Sequence, residues 1–122
     1  MLRKLFGFHD VEVKGQMQVG TLQKNFEESF GTKIKVYKPT AEGKINTGKG
    51  SRPADTKSTL ASNCMAGTKV SDVTIRKGHT VGAIEKAFAE QMGIGIQIMT
   101  PDGKSFAPND MTLKEVAGIA SK

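Results

Sequence analysis

The sequence predicts an α+β domain: a two-layer sandwich of two tandem β-α-β-β repeats related by a pseudo-twofold axis, with the helices on one face of a mixed sheet. Three observations predict it. A thirty-residue stretch recurs without a gap at an offset of 62 residues. Each copy carries one apolar stripe at helical spacing. Short alternating apolar segments flank each stripe.

The repeat places "DVEVKGQMQVGTLQKNFEESFGTKIKVYKP" (Asp10 to Pro39) on "DVTIRKGHTVGAIEKAFAEQMGIGIQIMTP" (Asp72 to Pro101), with ten of thirty positions identical. Other positions exchange like for like, such as Val13/Ile75, Leu22/Ile84 and Val36/Ile98. Past the prolines, Asp55/Asp110, Thr59/Thr112 and Leu60/Leu113 align if one residue of slack is allowed. Copy one spans residues 10–62 and copy two 72–119, in a single domain of residues 1–122. The runner-up is two small lobes in tandem. A unit of about 50 residues has little core of its own, which favours one fused domain.

Val11 and Val13, and Val73 and Ile75, alternate as a short strand does. Val19, Leu22, Phe26 and Phe30 then recur at helical spacing, as do Val81, Ile84, Phe88 and Met92. Gly31 and Gly93 stand where a helix C-cap needs a left-handed residue. Ile34 and Val36, and Ile94, Ile96 and Ile98, alternate as second strands. Pro101 to Lys104 spells a tight turn into a short strand around Phe106. Thr112 and Glu115 have capping-box spacing before a last short helix. A strand, a crossover helix and a second strand imply parallel strands within each copy.

The string V-G-x-[LI]-x-K-x-F-x-E-x-[FM]-G-x-x-[IV]-x-[IV], followed by D-x-T-L, resembles a group of small, functionally uncharacterised bacterial proteins with the same repeat. The resemblance covers most of the chain and implies no activity and no site residue. The order helix, strand, short strand, "TL" turn also resembles the β-grasp, ubiquitin-like scaffold. That scaffold opens with a hairpin, whereas one strand precedes each helix here. The ending "AGIASK" is not a diglycine tail, so conjugation is not implied.

The 122 residues carry a net charge of +6. Residues 1–62 hold 11 Lys and Arg against 6 Asp and Glu, and residues 63–122 hold 7 against 6. A basic half favours an anionic partner without identifying it. No apolar run approaches the roughly 20 residues that span a bilayer, so no membrane partner is expected. "MLRKLFGF" at the start is too short for a secretory signal and reads as an arm or edge strand of a cytoplasmic protein. Cys64 is the only cysteine, which leaves no internal disulfide, and its neighbours do not activate a thiol.

"GKINTGKGS" (Gly43 to Ser51) nearly spells a phosphate-binding loop, but Gly50 stands where the hydroxyl belongs. Such a loop must follow a strand and open a helix, and here Pro53 and a polar run follow. The stretch lies among nine extra residues of copy one and reads as a flexible basic insertion, about 40–54. His9 and His79 lack metal-ligand spacing, and Glu27, Glu28, Glu85 and Glu90 read as solvated helix surface. No cofactor is called for and no catalytic constellation emerges, so the chain is not expected to be an enzyme.

If Ile34 and Val36 face the helices, then Lys33, Lys35 and Tyr37 share the opposite face, extended by Lys49 and Arg52 of the insertion. Copy two has Gly95, Gln97 and Met99 there, with Met99 a candidate contact residue. The expected function is a non-catalytic protein-binding or adaptor module with an unidentified protein partner. The alternative is a nucleic-acid-binding protein, or a binder of another polyanion, using the basic face of copy one.

Overall fold

The computed structural model describes residues 9–119, so the reading of residues 1–8 as an arm lies outside the described residues. The first strand, β1 (Val11–Val13), leads to helix α1 (Val19–Phe30) and strand β2 (Lys33–Tyr37). After the insertion and a 3-10 turn at Ala61–Asn63 come β3 (Val73–Ile75), α2 (Val81–Ala87), β4 (Gly95–Met99) and α3 (Leu113–Ala117). Helix α2 continues as a π-helical stretch over Phe88–Met92.

Each element forms for the reason its sequence gives. The buried residues of α1 are Val19, Leu22, Phe26 and Phe30, one stripe at helical spacing. Gly31 ends it at φ 72° and Gly93 ends the second helix at φ 65°. Thr112 and Glu115 close the capping box on α3.

The strands pair differently from the expectation. The mixed sheet is replaced by two antiparallel ribbons, β1 with β3 and β2 with β4, and no parallel pair occurs among the described residues. The pairing runs between copies: each strand meets its own counterpart, with Glu12 opposite Thr74 and Lys35 opposite Gln97. Both central pairs stand at the 62-residue offset of the sequence repeat. Neither copy closes a sheet by itself, which is physically sensible for units with so little core.

The hydrogen bonds repeat as well. Val19 and Gly20 amides donate to Ser58 and Thr56 carbonyls at 2.9 and 2.8 Å, and Val81 and Gly82 amides to Met111 and Asn109 at 2.8 and 2.9 Å. Ala54 donates to Val36 and Ala107 to Ile98, at 2.9 and 2.8 Å. Past the insertion, therefore, residues correspond at an offset of 53. Asp55 corresponds to Pro108 and not to Asp110, which corrects the slack allowed in the sequence alignment. Ion pairs Lys14–Asp72 and Arg76–Asp10, each 3.3 Å, are likewise exchanged by the 62-residue offset. Both are exposed, so each contributes under about 1 kcal/mol.

One cluster of buried residues draws on both copies, including Phe26, Phe30, Leu60, Phe88, Ile98 and Leu113. Phe106, expected in a short strand, makes a single bridge to Met99. The insertion is held by its own bonds. Thr40 and Lys38 amides donate to Lys44 and Arg52 carbonyls at 2.8 Å each. The Ala66 amide donates to the Gly43 carbonyl at 2.8 Å, tying the insertion to the linker between copies. No helix begins between Ser51 and Thr59, so the near-match to a phosphate loop lacks the helix N-terminus that such a loop needs.

Candidate functional site

Strand β2 sends Ile34 and Val36 into the core and Lys33, Lys35 and Tyr37 to its other face. Across the ribbon, Met99, Gln97 and Gly95 stand opposite those three in turn. The face is not uniformly open. At one end, a side chain on Gly95 would lie 2.7 Å from Thr47 Cγ2 and 2.8 Å from Ile45 Cγ2, so the insertion covers that strand end. Tyr37 is only 7 % exposed, and the sequence expectation of an exposed ring is corrected: the insertion and residues 51–54 rise beside it. At the other end, Met99 is 4 % exposed and offers no contact surface, again against expectation. Its carbonyl accepts the Thr32 hydroxyl, which anchors that strand end.

The five residues singled out by sequence fall into three environments. Lys33 is ion-paired with Glu27 at 2.8 Å, and its aliphatic stem lies beside Gly103. Lys49 and Arg52 are exposed on the insertion, and the Arg52 carbonyl ties it to Lys38. Lys35 and Tyr37 line a cleft of about 470 Å³ at the outer edge of β2. Val36, Pro53 and Ala54 give the cleft its apolar lining, and Gln23, Ser51 and Thr56 complete it. Among the described residues, Lys35, Lys49 and Arg52 form no ion pair.

The polar groups of the cleft have defined roles. Gln23 donates its Nε2 to the Ile34 carbonyl at 3.3 Å, which fixes the amide against the strand. The hydroxyls of Tyr37, Ser51 and Thr56 have no hydrogen-bond partner among the described residues. Burial pushes the Tyr37 phenol above its ordinary pKa, and the Glu85 carboxylate pushes it further. The phenol therefore stays protonated at neutral pH and acts as a hydroxyl, not as a base.

Glu85 is the copy-two counterpart of Gln23. The sequence placed it on a solvated face, but the structure half-buries it. Its Oε2 is buried without a hydrogen-bond partner among the described residues. Burial raises its pKa above the usual carboxylate range, and a backbone hydrogen bond at Ile98 acts in the opposite direction. The Gln23/Glu85 exchange was the sequence signal available: both sit directly beside the apolar stripe, where burial is partial. The rest of the copy-two counterpart differs too. Gln97 replaces Lys35, Met99 replaces Tyr37, and Phe106, 57 % exposed, replaces Pro53. Thr56, Ser51 and Pro53 carried no sequence signal, because only the fold brings residues 51–56 against β2.

A second cavity of about 240 Å³ lies between β3 and α2, lined by Val73, Ala83, Ala87 and His79 among others. His79 Nδ1 accepts the Arg76 amide at 3.2 Å, so the imidazole is engaged in the turn before α2. No group of three or more His, Cys, Asp or Glu among the described residues is arranged to hold a metal ion. No helix among them is long and apolar enough to cross a membrane.

Comparison with protein-family models, with curated proteins and with solved structures returned no match.

Proposed function

We propose that the chain is a non-catalytic protein-binding or adaptor module acting in the cytoplasm. Its build is a single two-layer sandwich in which residues 10–62 and 72–119 are fused repeats about a pseudo-twofold axis. Kinship with the small bacterial repeat proteins, and the β-grasp likeness, belong to the same proposal.

One observation carries the reading. The two copies keep the same backbone hydrogen bonds at the outer edges of β2 and β4, yet their side chains diverge there. Copy one lines its edge with a cleft, an unpaired amine and three uncommitted hydroxyls. These groups recognise a partner by hydrogen bonding and charge. The Tyr37 phenol, held protonated at neutral pH, offers a hydroxyl for such recognition.

Nucleic-acid binding by the basic face of copy one is the second reading, favoured by the unpaired Lys35, Lys49 and Arg52. The buried Tyr37 ring argues against it, because single-stranded binding draws about 1–3 kcal/mol per base from exposed aromatic stacking. A salt-titrated binding assay with single- and double-stranded DNA and RNA separates the two. Protein binding predicts weak oligonucleotide affinity. A steep fall of tight oligonucleotide binding with salt supports the second reading instead.

A further inference from the structure

We infer that the cleft beside β2 seats an extended acidic segment of the partner protein, one of whose carboxylates pairs with the Lys35 ammonium. The inference rests on the protein-binding reading above and gives it a site and a partner chemistry.

The cleft's about 470 Å³ falls within the range of ligand-binding sites, roughly 300–1,000 Å³. Its chemistry is uneven. Lys35 offers an ammonium, and Tyr37, Ser51 and Thr56 offer hydroxyls without partners among the described residues. Among the described residues no acidic side chain lines the cleft, and the Glu85 carboxyl acts on it only from outside the lining, through the Tyr37 phenol. A site rich in donors and carrying a cation is complementary to carboxylates. Pro53, the exposed apolar residue of the lining, adds a surface for an aliphatic side chain, whereas Val36 and Ala54 are themselves buried. An acidic segment of alternating polarity fits both features, since successive side chains of an extended chain point to opposite sides. Lys49 and Arg52, exposed and unpaired on the insertion that flanks the cleft, extend the positive field to steer such a segment.

The repeat supplies an internal control. The copy-two counterpart has Gln97 in place of Lys35 and Glu85 in place of Gln23. The same acidic segment would meet a neutral amide and a carboxyl there. Lys104 stands at the Ser51 position of copy two, so the two edges differ in where their cation lies as well as in the Lys35/Gln97 exchange.

The test uses fluorescence anisotropy on the full chain. The probes are a labelled peptide alternating Glu with Val, the same peptide with Gln for Glu, and a labelled oligothymidine. The Glu peptide is expected to bind and the Gln peptide to bind at least tenfold more weakly. Lys35→Gln should weaken the Glu peptide by about tenfold, as expected for one charged hydrogen bond. Lys86→Gln removes the same charge from the exposed face of α2 and should leave binding unchanged. Thr56→Val is a second variant at the cleft and should weaken the peptide severalfold. Thermal melts of each variant exclude loss of fold. Equal effects of Lys35→Gln and Lys86→Gln, or equal binding of the Glu and Gln peptides, overturn the inference while leaving a protein-binding module in place. No binding of the Glu peptide at millimolar concentration also overturns it. Oligothymidine binding tighter than peptide binding, with a steep salt dependence, overturns the protein-binding reading itself.

Discussion

Gly31 and Gly93 stand at corresponding helix ends, and replacing each with Ala separates local backbone cost from contact with the linker. Both have positive φ, 72° and 65°, so an alanine at either site is strained by roughly 1–2 kcal/mol. The stiffer unfolded chain returns part of this, about 0.4–1 kcal/mol. At Gly31 the new methyl would meet, among the described residues, only Ala117 Cβ at 3.7 Å, an ordinary contact. Gly31→Ala should therefore cost about 1 kcal/mol. At Gly93 the methyl would lie 2.8 Å from Thr68 Cγ2 and would collide with the Thr68 hydroxyl. Thr68 is held by a 2.7 Å hydrogen bond to the Met65 carbonyl, and the Met65 amide bonds the Gly93 carbonyl at 2.6 Å. The linker must shift to admit the methyl, adding the typical 1–3 kcal/mol of overpacking. Gly93→Ala should thus cost about 2 kcal/mol more than Gly31→Ala. Urea unfolding measures it, with midpoints roughly 1 M apart for a slope of about 2 kcal/mol/M. Thr68→Gly in the Gly93→Ala background should recover part of the difference. Equal losses at the two glycines would refute the packing of linker residue 68 on the second helix end.

Two further stability predictions concern Glu85 and the insertion. The Glu85 carboxyl has a raised pKa in the folded chain, so the folded chain holds its proton more tightly than the unfolded chain does. Stability should then fall as pH rises from the unfolded value near about 4.3 through the raised folded value. Glu85→Gln, which copies Gln23, should remove this slope and melt about 4 °C higher at neutral pH, for roughly 1 kcal/mol recovered. Parallel melting-versus-pH curves for parent and variant would count against the buried carboxyl. Deleting Glu42 to Ser51 uncovers Gly95 and removes the Ile45 and Thr47 contacts. The loss should be on the order of 2 kcal/mol with the fold retained, read by circular dichroism melts. An unchanged melting temperature would show that the insertion contributes nothing.

The periodic signals were legible from sequence because they are local. The stripes of Phe26 and Phe88, the cap glycines and the Thr112–Glu115 box each depend on neighbours within a few residues. Strand pairing was not legible. The alternation of Ile34 and Val36 fixes two faces but not a partner, and the crossover rule assumed pairing within a copy. The strands pair between copies, and only the central pairs Glu12/Thr74 and Lys35/Gln97 reveal why the 62-residue offset has no gap. Lys35 faces outward, as a polar residue alternating with buried ones must. Tyr37 obeys the same alternation and is still buried, because neighbours distant in sequence cover that strand end. Alternation gives direction, whereas cover is a tertiary property.

The most direct measurement of the binding claim is an amide-resolved NMR titration of the full chain with the peptide alternating Glu and Val. Shifts should concentrate on Lys35, Val36, Tyr37, Ser51, Ala54 and Thr56 and on the Gln23 side-chain amide, and should vanish in Lys35→Gln. Shifts centred on Gln97, Ile98 and Phe106 to Asn109, or spread evenly over the exposed lysines, would contradict an acidic-segment site at the edge of β2.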